Sequence, residues 1–189
     1  MYTLKTNNSY ELEIKKSKFI SKIYKINTIE EATSILLDLK KQYNDATHIC
    51  YAYIVNEYKK SSDDGEPGGT AGIPMLQVLE KNNLNYILCV VIRYFGGIKL
   101  GAGGLVRAYT KSVSDLIKQT DIVELIQGYK IKLTAPYEEQ KKLDYILKDI
   151  QYEKIYNTDI TYLLNISKEN ITLIQNYNYE IEKEIFIEK

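Results

Sequence analysis

The stretch VVIRYFGGIKLGAGGLVRAY, residues 90–109, joins a continuous apolar run to a glycine-rich turn and then to an amphipathic stripe. The run extends back to residue 86, and apolar character without alternation over residues 86–95 predicts a central strand buried on both faces. Gly101, Gly103 and Gly104 predict the start of a helix that runs to about Gln119. Upstream, DDGEPGGTAGIP at residues 63–74 repeats the arrangement: a glycine-rich loop, then a helix beginning near Gly72 with Pro74 in its first turn, where the missing N–H is harmless. Nine of the ten glycines, both arginines and two of the three prolines lie between Gly65 and Tyr109.

Outward from this block, residues 10–16 alternate apolar and polar, and a second extended run at 19–26 completes a hairpin. Thr28 and Glu31 form a capping-box pattern ahead of Ile29, Ala32, Leu36, Leu39 and Tyr43 at helical spacing. His48–Val55 is β-branched and aromatic, a strand, and residues 57–70 read as a polar loop. Beyond residue 120 the texture changes. Residues 128–135 read as a strand, Pro136 opens a helix whose stripe is Leu143, Ile146, Leu147 and Ile150, and 152–155 and 160–166 are strands. A helix at 168–176 and a strand at 179–187 follow. That βαββαβ order is the split βαβ pattern of ferredoxin-like domains. The chain is therefore an α+β protein of two domains, 1–122 and 123–189, with no repeat and no low-complexity segment.

Composition excludes several classes. With 44% hydrophobic and 26% charged residues the chain is globular. No stretch of about 18 apolar residues exists and the start is polar, so the expectation is a cytoplasmic protein with no membrane partner. Cys50 and Cys89 lie in apolar strands and read as buried free thiols of a reducing compartment, with a disulfide as the alternative. Net charge is zero, but residues 1–120 hold 16 Lys+Arg against 12 Asp+Glu and residues 121–189 hold 9 against 13. Lys15, Lys16, Lys18, Lys22 and Lys25 concentrate in the first hairpin, either a phosphate-attracting patch or a solvated face that discourages edge pairing. The 18 tyrosines are spread over both domains, which fits aromatic filling in a chain without tryptophan.

The candidate site is the glycine-rich block. Gly69, Thr70 and Gly72 precede one helix and Gly101 and Gly104 another, so unpaired N–H groups of two helices are expected to offer anion-binding positions. Lys99 and Arg107 flank the second glycine cluster and Arg93 ends the central strand, which suits planar, bidentate anion recognition. The lysine is on the wrong side for a Walker A loop. Asp64 and Glu66, beside Asp63, are the candidate ligands for Mg²⁺, or an acid–base pair, or carboxylates of a polar turn; no other cofactor is expected. His48, the one histidine, either pairs with this acidic loop or a substrate, or is a structural hydrogen-bonded residue. Thr70 reads as an N-cap or a phosphate contact.

The strings ATHICYAY at 46–53, DDGEPGGTAGIPML at 63–76 and VVIRYFGGIKLGAGGLVRAY at 90–109 resemble the IMPACT/YigZ family. The resemblance covers essentially the whole chain. It implies a first domain similar to domain 2 of ribosomal protein S5 and a ferredoxin-like second domain of the kind found in bacterial members. It also implies motif roles for His48, Asp64, Glu66, Gly69, Thr70, Gly72, Arg93, Gly96, Gly97, Lys99, Gly101, Gly104 and Arg107. Asn56 departs from the family pattern, standing where the strand often ends in glycine. The resemblance implies a role near translation with RNA or the ribosome as ligand, and the expected function is that of a non-catalytic translation-associated regulator or binding protein that contacts them through a glycine/arginine-rich cleft. Two alternatives remain open: a Mg²⁺-dependent phosphoryl-transfer or hydrolytic enzyme, and a scaffold that binds a protein partner.

Overall fold

Alternating patterns lay down the first sheet. In the computed structural model, which describes residues Met1–Lys189, a short β1 (Tyr2–Leu4) precedes β2 (Asn8–Ile14) and β3 (Ser17–Lys25). These are followed by α1 (Ile29–Gln42), β4 (His48–Val55), β5 (Tyr58–Ser62), α2 (Gly72–Lys81), β6 (Ile87–Tyr94) and α3 (Ala102–Lys118). The sheet runs β2-β3-β6-β4-β5, antiparallel throughout, with β6 at its centre. Cys89 and Val91 of β6 face a core built with Met75 and Leu79 of α2 and Leu105, Tyr109 and Val113 of α3. Leu88, Val90 and Ile92 face the opposite core, under Ala32 and Leu39 of α1. Period-2 alternation within the apolar run of β6, Ile87 to Ile92, thus feeds two layers of helix.

The capping box is present at α1, where Thr28 Oγ1 accepts from Glu31 N and Glu31 returns a bond to Asn27 N at 2.7 Å. Strand β5 corrects the expected loop at 57–70. Its residues, Tyr-Lys-Lys-Ser-Ser, show no apolar alternation because it is an edge strand held by backbone pairing to β4, from Val55↔Tyr58 to Tyr51↔Ser62. Lysines on such an edge discourage further strand addition. Asn56 turns this hairpin at φ 56°, a left-handed conformation that asparagine tolerates better than most residues, so its replacement of glycine is accommodated. The β2–β3 turn is less conventional: Lys15 and Lys16 both have positive φ, 47° and 63°, in a two-residue connection that usually asks for Asn-Gly.

The chain divides into two compact units, Met1–Val123 and Glu124–Lys189. In the second, β7 (Ile122–Ala135), β8 (Tyr152–Tyr156), β9 (Ile160–Ser167) and β10 (Asn178–Glu188) pair antiparallel in the order β10-β7-β9-β8, and α4 (Gln140–Ile146) comes between β7 and β8 in the chain. Its core joins Ile131, Leu133, Tyr162 and Leu164 of the strands to Leu143 and Leu147 at α4. The helix expected at 168–176 is a single 3-10 segment, Asn170–Ile174, and a 3-10 turn at Tyr137–Glu139 comes between Pro136 and α4. Ile171 and Ile174 still pack on the core, which explains the apolar signal without a full helix. No helix is long and apolar enough to cross a membrane.

Candidate functional site

At one end of the first sheet, register places Phe19 of β3, Arg93 of β6 and His48 of β4 side by side. The loop between β5 and α2 brings its acidic residues to the same point. Arg93 Nη1 lies 2.6 Å from Glu66 Oε1, with the side chains only 6% and 3% exposed. Tyr109 of α3 donates its hydroxyl to the same oxygen at 2.7 Å. Burial and the neighbouring Cys50 and Glu66 push the Tyr109 phenol well above its ordinary range, so it stays a neutral donor. Arg93 also reaches Ser17 Oγ at 3.4 Å, and its guanidinium lies over the rings of Phe19 and Phe95, 5.5 and 5.6 Å from their centroids. Its Nε has no partner. Arg93, expected at the mouth of an anion site, is therefore a buried cation already neutralised by Glu66.

The carboxylates divide the remaining work. Asp63 receives the N–H groups of Gly69 at 2.8 Å, Ala71 at 2.9 Å and Gly72 at 2.8 Å. It is the cap of α2, supplied from well upstream. Desolvation works to raise the Asp63 pKa, but these backbone donors outweigh it and hold the carboxyl below its ordinary value. Thr70, expected to cap the helix, instead donates its hydroxyl to Pro67 O at 2.6 Å. Asp64 accepts from Ile49 N at 2.6 Å and lies 3.7 Å from Lys40 Nζ. No group of three or more His, Cys, Asp and Glu side chains is placed to hold a metal ion. Asp64 and Glu66, the residues assigned to Mg²⁺, have oxygens committed to a backbone N–H and to an arginine and a tyrosine.

His48 Nδ1 lies 2.9 Å from Asp64 O, and a carbonyl only accepts, so Nδ1 carries the proton. Nε2 then faces Glu66 Oε2 across 3.8 Å. Cys50, two residues along the same face, has Asp63 O at 3.0 Å and Tyr109 Oη at 3.3 Å from its Sγ as acceptors for its single S–H. Burial pushes its thiol, and that of Cys89, up to about 12, which rules out a resting thiolate. Both cysteines are free and buried.

What remains open to a ligand lies on the surface beside this cluster. Gly96 is pressed against the backbone of the Lys15–Lys16 turn, so closely that a side chain at 96 would collide with Lys16 C and O. That contact brings the lysine turn to the segment running from Phe95 into α3. Gly101, at φ 70°, begins α3 with no side-chain cap, and Gly104 lies in its first turn over Leu100. The expectation of unpaired N–H groups thus applies to α3 and not to α2, which Asp63 already fills. Lys99 is exposed, and exposed Arg107 lies along Gly103, 3.6 Å from where its Cβ would be. Lys15, Lys16, Lys99 and Arg107 make no ion pair. Glycine-rich spacing pointed to this segment; the lysine turn that joins it was separated from it by some 80 residues of chain, and only the register of β3 on β6 brings the two together.

The comparisons with known proteins agree with the motif resemblance. Residues 15–117 match the family model described as Impact N-terminal domain. The IMPACT family member YvyE of Bacillus subtilis (strain 168) is 42% identical over 163 residues, 81% of this chain and 75% of that protein. The IMPACT family member YigZ of Escherichia coli (strain K12) is 36% identical over 152 residues, 78% of this chain and 74% of that one. A Protein IMPACT homolog of Dictyostelium discoideum is 43% identical over 97 residues, 46% of this chain and 27% of that protein. Among solved structures, one described as a crystal structure of an hypothetical protein superimposes with a TM-score of 0.67 at 27% identity, covering 96% of this chain and 97% of that one. The chain belongs to the IMPACT family.

Proposed function

We propose that this protein is a non-catalytic, cytoplasmic, translation-associated regulator that contacts RNA or the ribosome through one end of its first sheet. One observation carries the reading: Lys15, Lys16, Lys99 and Arg107 are exposed and without acidic partners along the segment that opens α3. Unpaired cations beside an uncapped helix N-terminus suit phosphate oxygens. The IMPACT resemblance adds the link to translation. The strand order β10-β7-β9-β8 supports a ferredoxin-like second domain, and the first domain is read as S5 domain 2-like. In this reading Arg93, Gly69, Thr70, Gly72 and His48 build and stiffen the site, while Lys99, Arg107 and the lysine turn meet the ligand.

The test is RNA binding against salt. Each of Lys99→Ala and Arg107→Ala weakens binding and lowers the slope of log affinity against log salt by about one, without loss of stability. Affinity and slope unchanged in both variants would overturn the reading. A second reading, an enzyme of hydrolytic or phosphoryl-transfer type, draws on His48 Nε2 facing Glu66 Oε2 at 3.8 Å. Mg²⁺-dependent phosphoester turnover that is lost in His48→Gln, with the fold intact, would establish it instead.

A further inference from the structure

Aromatic rings surround Arg93, and one of them, Phe95, reaches the surface. Phe19 is fully buried and meets Tyr109 edge-on, with centroids 5.4 Å apart. The Arg93 guanidinium lies over the Phe19 ring and over the Phe95 ring, and Phe95 is 45% exposed. The backbone around Phe95 is pinned at both ends. Phe95 N donates to Thr47 Oγ1 at 2.9 Å, and Gly96 N donates to Ser17 Oγ at 3.2 Å. The same Ser17 oxygen accepts from Arg93, so one hydroxyl ties the ring's loop to the cation beneath it. An exposed aromatic plate held this way loses little freedom when something is laid on it.

Its surroundings are selective. The Lys15–Lys16 turn abuts Gly96, and Lys99 follows four residues after Phe95, all without acidic partners. Cations beside a fixed aromatic face complement a backbone phosphate beside an unstacked base. Resting on the RNA reading of this surface, we propose that Phe95 is a base-stacking platform and that the ligand is single-stranded RNA. A duplex offers no free base face, so it could use the cations and not the ring.

The experiment measures binding of the full chain to a labelled single strand of about 12 uridines and to a duplex of similar length, within the span such sites cover. Phe95→Ala is expected to lose on the order of 5- to 150-fold in affinity for the single strand, the range for removal of one stacked base. Duplex affinity and the salt slope are expected to stay as they were, because no charge is removed. Phe95→Tyr keeps a ring and is expected to bind as the parent does. Phe95→Leu retains apolar cover over Arg93 but loses the π face, so it is expected to melt with the parent and bind as Phe95→Ala does. Equal single-strand affinity in the parent and Phe95→Leu, or a duplex that binds as tightly as the single strand, would overturn the stacking proposal and leave the RNA reading standing. No binding of either RNA by the parent would overturn both.

Discussion

Glu66 Oε1 accepts both the Arg93 guanidinium, at 2.6 Å, and the Tyr109 hydroxyl, at 2.7 Å, and all three residues are buried. One oxygen thus ties the acidic loop, the central strand and α3 together. Removing one member of a buried ion pair leaves the other charge uncompensated. Arg93→Ala and Glu66→Ala are each expected to destabilise by about 3–5 kcal/mol, read as a lower denaturant midpoint, with the double variant losing less than the sum. Glu66→Gln keeps an acceptor for Tyr109 and should fall between. Single variants within about 0.5 kcal/mol of the parent would show that the pair is dispensable to the fold.

Asp63 makes the start of α2 sensitive to acid. Its folded pKa is depressed, so its contribution is complete above the unfolded value near 4 and disappears as pH falls through the lower folded value. Asp63→Ala is expected to cost about 1–2 kcal/mol near neutrality, while parent and variant converge in stability in strong acid. Unfolding curves collected from neutral pH down would show that convergence, and a constant gap over the whole range would refute the assignment.

The two thiols are expected to resist alkylation in the native protein. With burial holding both near 12, neither supplies thiolate at neutral pH. Mass spectrometry after brief iodoacetamide treatment should show no label on the folded chain and two labels after denaturation without reductant. Two protons fewer and no label in the denatured sample would mean a disulfide.

The second unit contains a core of its own, with Ile131, Leu133, Leu143, Leu147 and Tyr162 closed on one face of its sheet. A fragment of residues 124–189 is expected to fold alone and melt cooperatively by circular dichroism. A spectrum of unfolded chain would show that this core is insufficient.

Much of the architecture was legible because its cause is local. The unbroken apolar run of β6, the Thr28–Glu31 box and the stripe of α3 each report a nearby physical requirement. The failures share the opposite property. Strand β5 is held by backbone bonds to β4 and carries almost no side-chain signature. The cap of α2 comes from Asp63 rather than adjacent Thr70, since the loop folds back before the helix starts. Arg93 was recognised as important, yet its burial depends on Glu66 and Tyr109, distant along the chain. Phe95 carries no signal of its own within RYFGG, and the placing of Phe19 beside Arg93 belongs to the sheet register.

Lysines at both central positions of the β2–β3 turn occupy left-handed backbone that is unfavourable by roughly 1 kcal/mol for each such residue and could be relieved by Asn-Gly. The turn that would be the better folder would carry no charge beside Gly96. Thermostability selection on this protein should therefore favour changes at Lys15 and Lys16, whereas selection for ligand capture should keep both. The hairpin records a conflict between rigidity and recognition, confined to two adjacent residues.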